Sequence, residues 1–133
     1  MNRASLRFAL FGVVFARCAG SPTEIRLDQE FELAPGGTVR IAGTSQTITF
    51  ESVPQDSRCP ANVTCVWAGN AEVRLRVRAA DRDSSVGLNT TVEPHAAAVG
   101  SLRVELRALA PAPQAGSPTP SGAYRARLVV TGS

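Results

Sequence analysis

The sequence predicts an all-β protein, a single small antiparallel β-sandwich of about seven strands, immunoglobulin-like or similar, with one local disulfide. Three observations favour this fold class. Hydrophobic residues make up 44% of the 133 residues and charged residues 19%, which is a globular composition. Apolar and polar residues alternate with period two along most of the chain, and 11 Gly and 9 Pro provide turns between short segments. A small open barrel is the alternative, because alternation alone does not separate the two architectures.

The candidate strands of the first half follow one another from residue 23. Two short alternating segments come first, the turn LAPGGT leads into a third, and AGTSQ leads into a fourth. The side chains expected to face the core in these segments are Ile25, Leu27, Phe31, Leu33, Val39, Ile41, Ile48 and Phe50.

The second half repeats the pattern in AEVRLRVRA, SLRVELRAL and GAYRARLVV, and LNTTVEP offers a further short strand. The expected inward residues are Val73, Leu75, Val77, Leu102, Val104, Leu106, Tyr124, Ala126, Leu128 and Val130. PHAAAVG holds at most one helical turn, because Pro94 and Gly100 bound it. Residues 110–122 contain four prolines, which predicts a stiff surface loop between the last two strands.

The start of the chain has the pattern of an export signal. Arg3 and Arg7 precede the apolar run FALFGVVFA, and small residues follow it. The run is shorter than the roughly 20 apolar residues that cross a bilayer. We therefore expect a signal peptide over residues 1–17, a short tether over 18–22 and the sandwich domain over 23–133.

Cys18 resembles the lipid-attachment cysteine of bacterial lipoproteins, since it follows a short apolar segment. In that family a small residue precedes the cysteine, whereas Arg17 stands here, so ordinary cleavage near Ala16 or Gly20 is the alternative. Both outcomes predict an exported protein, periplasmic or in the outer envelope. Contact with a membrane is expected only through this anchor.

The net charge argues against nucleic acid as a partner. All 14 basic residues are arginine, against 11 acidic residues. Removal of residues 1–17 removes three arginines, so 14 − 3 = 11 remain and the net charge becomes zero. The basic character thus belongs to the export signal. The outward arginines of the candidate strands are expected to form a solvated face paired with Glu72, Glu105 and other acids, with a basic stripe for acidic glycans or lipid headgroups as the alternative.

The stretch DSRCPANVTCVWAGNA, residues 56–71, concentrates the most varied chemistry of the chain. Cys59 and Cys65 are separated by five residues, and in an exported protein this predicts a local disulfide. A zinc site would need about four ligands, whereas the chain has three cysteines and one histidine. We therefore expect no metal site.

Three other residues of this stretch are candidates for binding. Asp56 and Arg58 fit a turn that the aspartate side chain stabilises, with an Asp–Arg pair. Trp67 fits either a cover over the disulfide at one end of the core or an exposed stacking platform for a sugar or a peptide. The covering role is the favoured interpretation.

The sequence contains few residues and no recognised motif suited to catalysis. His95 is the single histidine, and no serine or cysteine motif lies near it. None of the nucleophile-elbow, zinc-protease, phosphate-loop or dinucleotide-binding motifs occurs. The prediction is therefore a protein that is not an enzyme and needs no cofactor.

DSRCPANVTCVWAGNAEV is similar to a signature of uncharacterised bacterial predicted lipoproteins, D-S-R-C-P-x-x-V-x-C-V-W-A-G-x-A. The resemblance implies an exported location and this fold, and it implies no activity. We expect a monomeric envelope protein, tethered or secreted, that serves a structural role or binds an envelope protein or glycan. The alternative is a protease inhibitor that inserts the loop from Cys59 to Cys65 into an enzyme.

Overall fold

The computed structural model describes residues 21–132, so the predicted signal peptide and Cys18 lie outside the described residues. Among residues 21–132, no helix is long and apolar enough to cross a bilayer. A short 3₁₀ helix covers Ser121–Ala123. The strands are β1 Thr23–Ile25, β2 Glu30–Leu33, β3 Thr38–Ile41, β4 Thr47–Asp56, β5 Ala71–Arg78, β6 Asp83–Asn89, β7 Ala96–Val99, β8 Leu102–Ala110 and β9 Arg125–Gly132.

These strands form two sheets, and the predicted all-β sandwich with one local disulfide is confirmed. The five-stranded sheet has the order β1-β3-β4-β5-β6, and the four-stranded sheet has the order β2-β9-β8-β7. Apolar side chains from both sheets form one core between them. Nine strands exceed the predicted seven, and β1 pairs parallel to β3 whereas all other pairs are antiparallel.

The alternating segments behave as predicted because a strand points successive side chains to opposite faces. In β5, Val73, Leu75 and Val77 are fully buried, and the arginines between them are exposed. Every predicted inward residue of β8 and β9 is buried as well. Phe50 of β4 is the largest fully buried side chain.

The outward arginines of β5 are paired with acidic neighbours, which confirms the predicted solvated face. Arg76 donates two hydrogen bonds to Asp83, at 2.9 and 2.8 Å, and Arg74 donates one to Glu72 at 2.8 Å. In the other sheet, Arg107 lies 3.1 Å from Glu105. These exposed pairs satisfy one another and leave no continuous basic stripe on β5.

Three segments differ from the sequence-based expectation. Leu27 was expected to face the core, but it is 39% exposed, because Asp28 has a φ of +63° and turns the chain between β1 and β2. Residues 96–99 form strand β7 at a sheet edge instead of a helical turn. The short strand expected within LNTTVEP, residues 88–94, begins earlier, at Asp83, and ends at Asn89.

Three loops meet at one end of the sandwich, which we call the loop end. They are residues 57–70 between β4 and β5, residues 90–95 between β6 and β7, and residues 111–124 between β8 and β9. The third loop is the predicted proline-rich excursion. Hydrogen bonds connect the first loop to each of the other two. The stretch singled out in the sequence therefore lies at the centre of the loop end.

Candidate functional site

Asp56, the last residue of β4, organises the start of the first loop. Its Oδ1 atom accepts hydrogen bonds from the backbone nitrogen of Arg58 at 3.2 Å and from Nε of Arg58 at 2.8 Å. Its Oδ2 atom accepts one from Nη2 of Arg58 at 2.7 Å. The predicted aspartate turn and Asp–Arg pair are thus confirmed, and the side-chain pairing is bidentate.

Arg58 also reaches across to the other sheet. Its Nη1 atom donates to the carbonyl oxygen of Leu109 at 2.6 Å, and Nη2 donates to that of Pro111 at 2.9 Å. The hydroxyl of Tyr124 donates to Oδ2 of Asp56 at 3.0 Å. This Asp56–Arg58–Tyr124 network therefore ties the end of β4 to the end of β8 and the start of β9.

The network is largely shielded from solvent, with 10% of the Asp56 side chain and 14% of the Arg58 side chain exposed. Hydrogen bonds from Arg58 hold the pKa of the Asp56 carboxyl below its usual value, against the opposing effect of burial. Burial raises the pKa of Tyr124, and the hydrogen bond to Asp56 adds to the effect. At neutral pH Asp56 is therefore charged and Tyr124 is a neutral donor.

The two sides of the first loop lie against each other. The backbone nitrogen of Ser57 donates to the carbonyl oxygen of Asn70 at 2.7 Å, and that of Cys59 donates to Ala68 at 3.0 Å. Gly69 has a φ of +67°, and a β-carbon placed on it would lie 1.8 Å from the carbonyl oxygen of Ser57. Only glycine fits this close approach without moving the loop.

Asn70 connects the first loop to residues 90–92. Its Nδ2 atom donates to Oδ1 of Asn89 at 2.9 Å. Its Oδ1 atom accepts from the backbone nitrogens of Thr91 at 3.0 Å and Val92 at 3.4 Å. The amide is therefore used at both ends to hold two loops together.

The disulfide joins Cys59 and Cys65, as predicted, with their Cα atoms 5.9 Å apart. Within the ring, the backbone nitrogen of Val63 donates to Pro60 at 3.3 Å, which closes a turn. The ring also contacts the proline-rich loop, since the backbone nitrogen of Ala61 donates to Pro113 at 2.8 Å. The backbone nitrogen of Ala115 donates to Oδ1 of Asn62, also at 2.8 Å.

Trp67 does not cover the disulfide, so the favoured interpretation of this residue is wrong. Its exposed fraction is 83%, and that of its neighbour Val66 is 91%. Backbone hydrogen bonds, Asn70 and the Asp56–Arg58–Tyr124 network already close this end of the molecule, so no aromatic cover is needed. Val66 and Trp67 form an exposed apolar pair, which we call the tip.

His95 lies in the second loop, close to polar groups of its own loop and of β6. Its Nδ1 atom lies 2.8 Å from the carbonyl oxygen of Asn89, and Nε2 lies 3.7 Å from Oε1 of Glu93. Within residues 21–132, no three His, Cys, Asp or Glu side chains come together as a metal site would require. The contacts of His95 thus bind its ring to neighbouring residues of the loop.

Comparisons of the chain with protein families, with curated proteins and with solved structures find no match. The roles of the residues at the loop end are therefore inferred from their contacts in the structure. The structure brings Asp56 and Arg58 together and places Trp67 away from them, in solvent.

Sequence reasoning missed two residues of this site. Tyr124 was expected only as a core side chain, although a buried tyrosine hydroxyl needs a partner and this requirement could have pointed to a polar contact. Asn70 was not singled out in the sequence as a candidate site residue, and nothing in its neighbours along the chain indicates its bonds to residues 89–92.

Proposed function

We propose that this protein is an exported, non-catalytic β-sandwich of the bacterial cell envelope that binds a partner through the tip at its loop end. The observation that carries the proposal is the exposure of Val66 and Trp67, at 91% and 83%. Tryptophan is the side chain most enriched in binding hot spots, because it offers a large apolar area together with a hydrogen-bond donor.

The surroundings of the tip support a binding role. The disulfide, the close approach of Gly69 to Ser57 and the amide of Asn70 fix both sides of the loop that carries the tip. A rigid loop loses little conformational entropy when it binds. Because Trp67 contributes little to the core, its exposure is better explained by recognition than by stability.

Asp56 and Arg58 were expected to be contact residues, and their hydrogen bonds favour a positioning role instead. Nearly every polar atom of the pair is engaged within the protein. We therefore assign to them the task of holding the loop, and we assign contact with the partner to Trp67.

Export is the second part of the proposal, and its support is the sequence pattern of residues 1–21 together with the disulfide. Mass spectrometry of the protein isolated from its native envelope should find a new N-terminus between residues 17 and 21. An intact Met1 in the mature material would contradict export with processing. A lipid mass on Cys18 would distinguish an anchored protein from a secreted one.

Trp67→Ala should abolish capture of the partner while leaving the free energy of unfolding within about 0.5 kcal/mol of the wild type. The physical reason is that Trp67 is an exposed side chain, so its removal opens no cavity. The measurement is a pull-down from native envelope with tagged protein, beside urea unfolding. Leu27→Ala, an exposed apolar residue outside the three loops, is the control and should capture normally.

A protease inhibitor is the second candidate, because residues 61–64 are exposed within a disulfide-closed ring. Two features weaken it. The ring contains a turn instead of an extended segment, and its backbone at Ala61 is hydrogen-bonded to Pro113. Stoichiometric inhibition of an envelope protease that persists in Trp67→Ala would favour the inhibitor over the binding module.

A further inference from the structure

The loop end differs in charge from the rest of the molecule. Residues 59–71 and 108–124 contain no charged side chain. Beneath them, Asp56 and Arg58 neutralise each other. In the second loop, Glu93 is exposed and lies beside His95. The first and third loops thus present an uncharged surface with the apolar tip upon it.

The sides of the sandwich carry most of the charge. The outer face of the five-stranded sheet bears Arg–Glu and Arg–Asp pairs, such as Arg76 with Asp83 and Arg40 with Glu24. Residues 21–132 contain 11 arginines and 11 acidic residues, so no net charge attracts the domain to an anionic surface. Its adhesion at the loop end would therefore depend on apolar contact.

We propose that the partner of the tip is the interfacial layer of a lipid bilayer with a zwitterionic surface, into which Val66 and Trp67 insert. This inference rests on the proposed function and names the occupant of the same site. Tryptophan favours the membrane–water interface, where its ring lies among apolar groups and its N–H remains hydrated. The uncharged surface of the first and third loops lets the tip approach without the cost of desolvating ionic groups there.

The polar groups beside the tip favour lipid over sugar. A glycan platform pairs an aromatic ring with free side-chain donors and acceptors for the sugar hydroxyls. Here the amide of Asn70 is engaged at both ends, and the hydroxyl of Ser57 donates to the carbonyl oxygen of Asn70 at 3.0 Å. Val66 and Ala68, the two neighbours of Trp67, carry no polar side-chain group.

The test uses the full-length chain and the fluorescence of Trp67, its single tryptophan. With vesicles of phosphatidylcholine, the emission should shift to shorter wavelength, and lipids brominated near the headgroup should quench it. Val66→Asp should weaken partition by roughly tenfold or more, because it places a charge in the interfacial layer. The fluorescence signal arises only at the tip, so adsorption through another segment does not mimic it.

Leu27→Asp is the matched control, since it adds the same charge outside the three loops and should partition as the wild type does. The shift should also survive high salt, because no ion pair drives it. An unshifted emission with vesicles would overturn the lipid assignment. If neutral glycans or an envelope protein are then captured in a Trp67-dependent manner, the proposed function stands without it. Failure of all Trp67-dependent binding would overturn both.

Discussion

Asp56→Ala should lower the free energy of unfolding by roughly 3 kcal/mol, the lower end of the range expected when one partner of a buried ion pair is removed, because this pair is partly buried. The substitution removes the carboxylate that accepts three hydrogen bonds from Arg58 and one from Tyr124. The Arg58 charge and the Tyr124 hydroxyl then lose their partner in a site that water barely reaches. Urea unfolding followed by circular dichroism measures the change.

Asp83→Ala is the control for this effect. Asp83 also accepts two hydrogen bonds from one arginine, Arg76, but the two side chains are 42% and 49% exposed. Water can replace the lost contacts, so we expect a change of about 1 kcal/mol or less. Equal losses in the two variants would contradict the assignment of a buried framework to Asp56.

The same contact predicts how acid affects stability. The pKa of Asp56 is lower in the folded protein than its ordinary value of 3.8. Its stabilising contribution is therefore complete above that value and is lost as the pH falls through the folded pKa. Asp56→Asn should remove this component of the acid sensitivity. Measurement at high ionic strength suppresses the similar but exposed contribution of Asp83.

Gly69→Ala should destabilise the protein by roughly 2–4 kcal/mol through backbone strain and a steric clash. The new β-carbon would lie 1.8 Å from the carbonyl oxygen of Ser57, at a φ of +67° that side chains rarely adopt. The loop must move to relieve the contact, and it carries the tip with it. We therefore expect weaker partner binding as well, measured on the fraction that remains folded.

Gly43→Ala separates the two causes. Gly43 has a similar φ of +77°, but no atom lies within 4 Å of an added β-carbon. This variant should show only the cost of the left-handed conformation, about 1–2 kcal/mol. Equal destabilisation of the two variants would show that the close approach at Gly69 is unimportant.

The sequence predicted best where a strand has one buried and one exposed face. In β5, and in β8 from Leu102 to Leu106, apolar residues alternate regularly with arginine or glutamate, and each of these apolar side chains is buried. A register slip would expose all of them at once, so the pattern specifies the structure strongly. The local disulfide and the Asp56–Arg58 turn were also predictable, because their partners are close along the chain.

Strand β7 was missed because its residues carry no strand pattern. Ala96, Ala97 and Ala98 have a high helix propensity, and backbone pairing with β8 makes them a strand. Propensity yields to tertiary context in such short edge segments. The parallel pairing of β1 was equally hidden, since three residues cannot indicate which strand they will join.

The candidate site depended on contacts between distant parts of the chain. Tyr124 reaches Asp56 across 68 positions of sequence, and Arg58 reaches the carbonyl oxygen of Leu109 across 51. Once these contacts close the loop end, Trp67 is not needed there. Its environment therefore could not be inferred from the adjacent cysteines alone.

The position of β9 has a consequence for the order of folding. This last strand lies inside the four-stranded sheet, between β2 from the start of the domain and β8 from near its end. Until residues 125–132 have been synthesised, β2 has no partner strand, and the four-stranded sheet that covers one side of the core is incomplete. Such long-range pairing folds slowly. We therefore expect the four-stranded sheet to close over the core only after residues 125–132 have been synthesised, although the hairpins of the five-stranded sheet can pair before then.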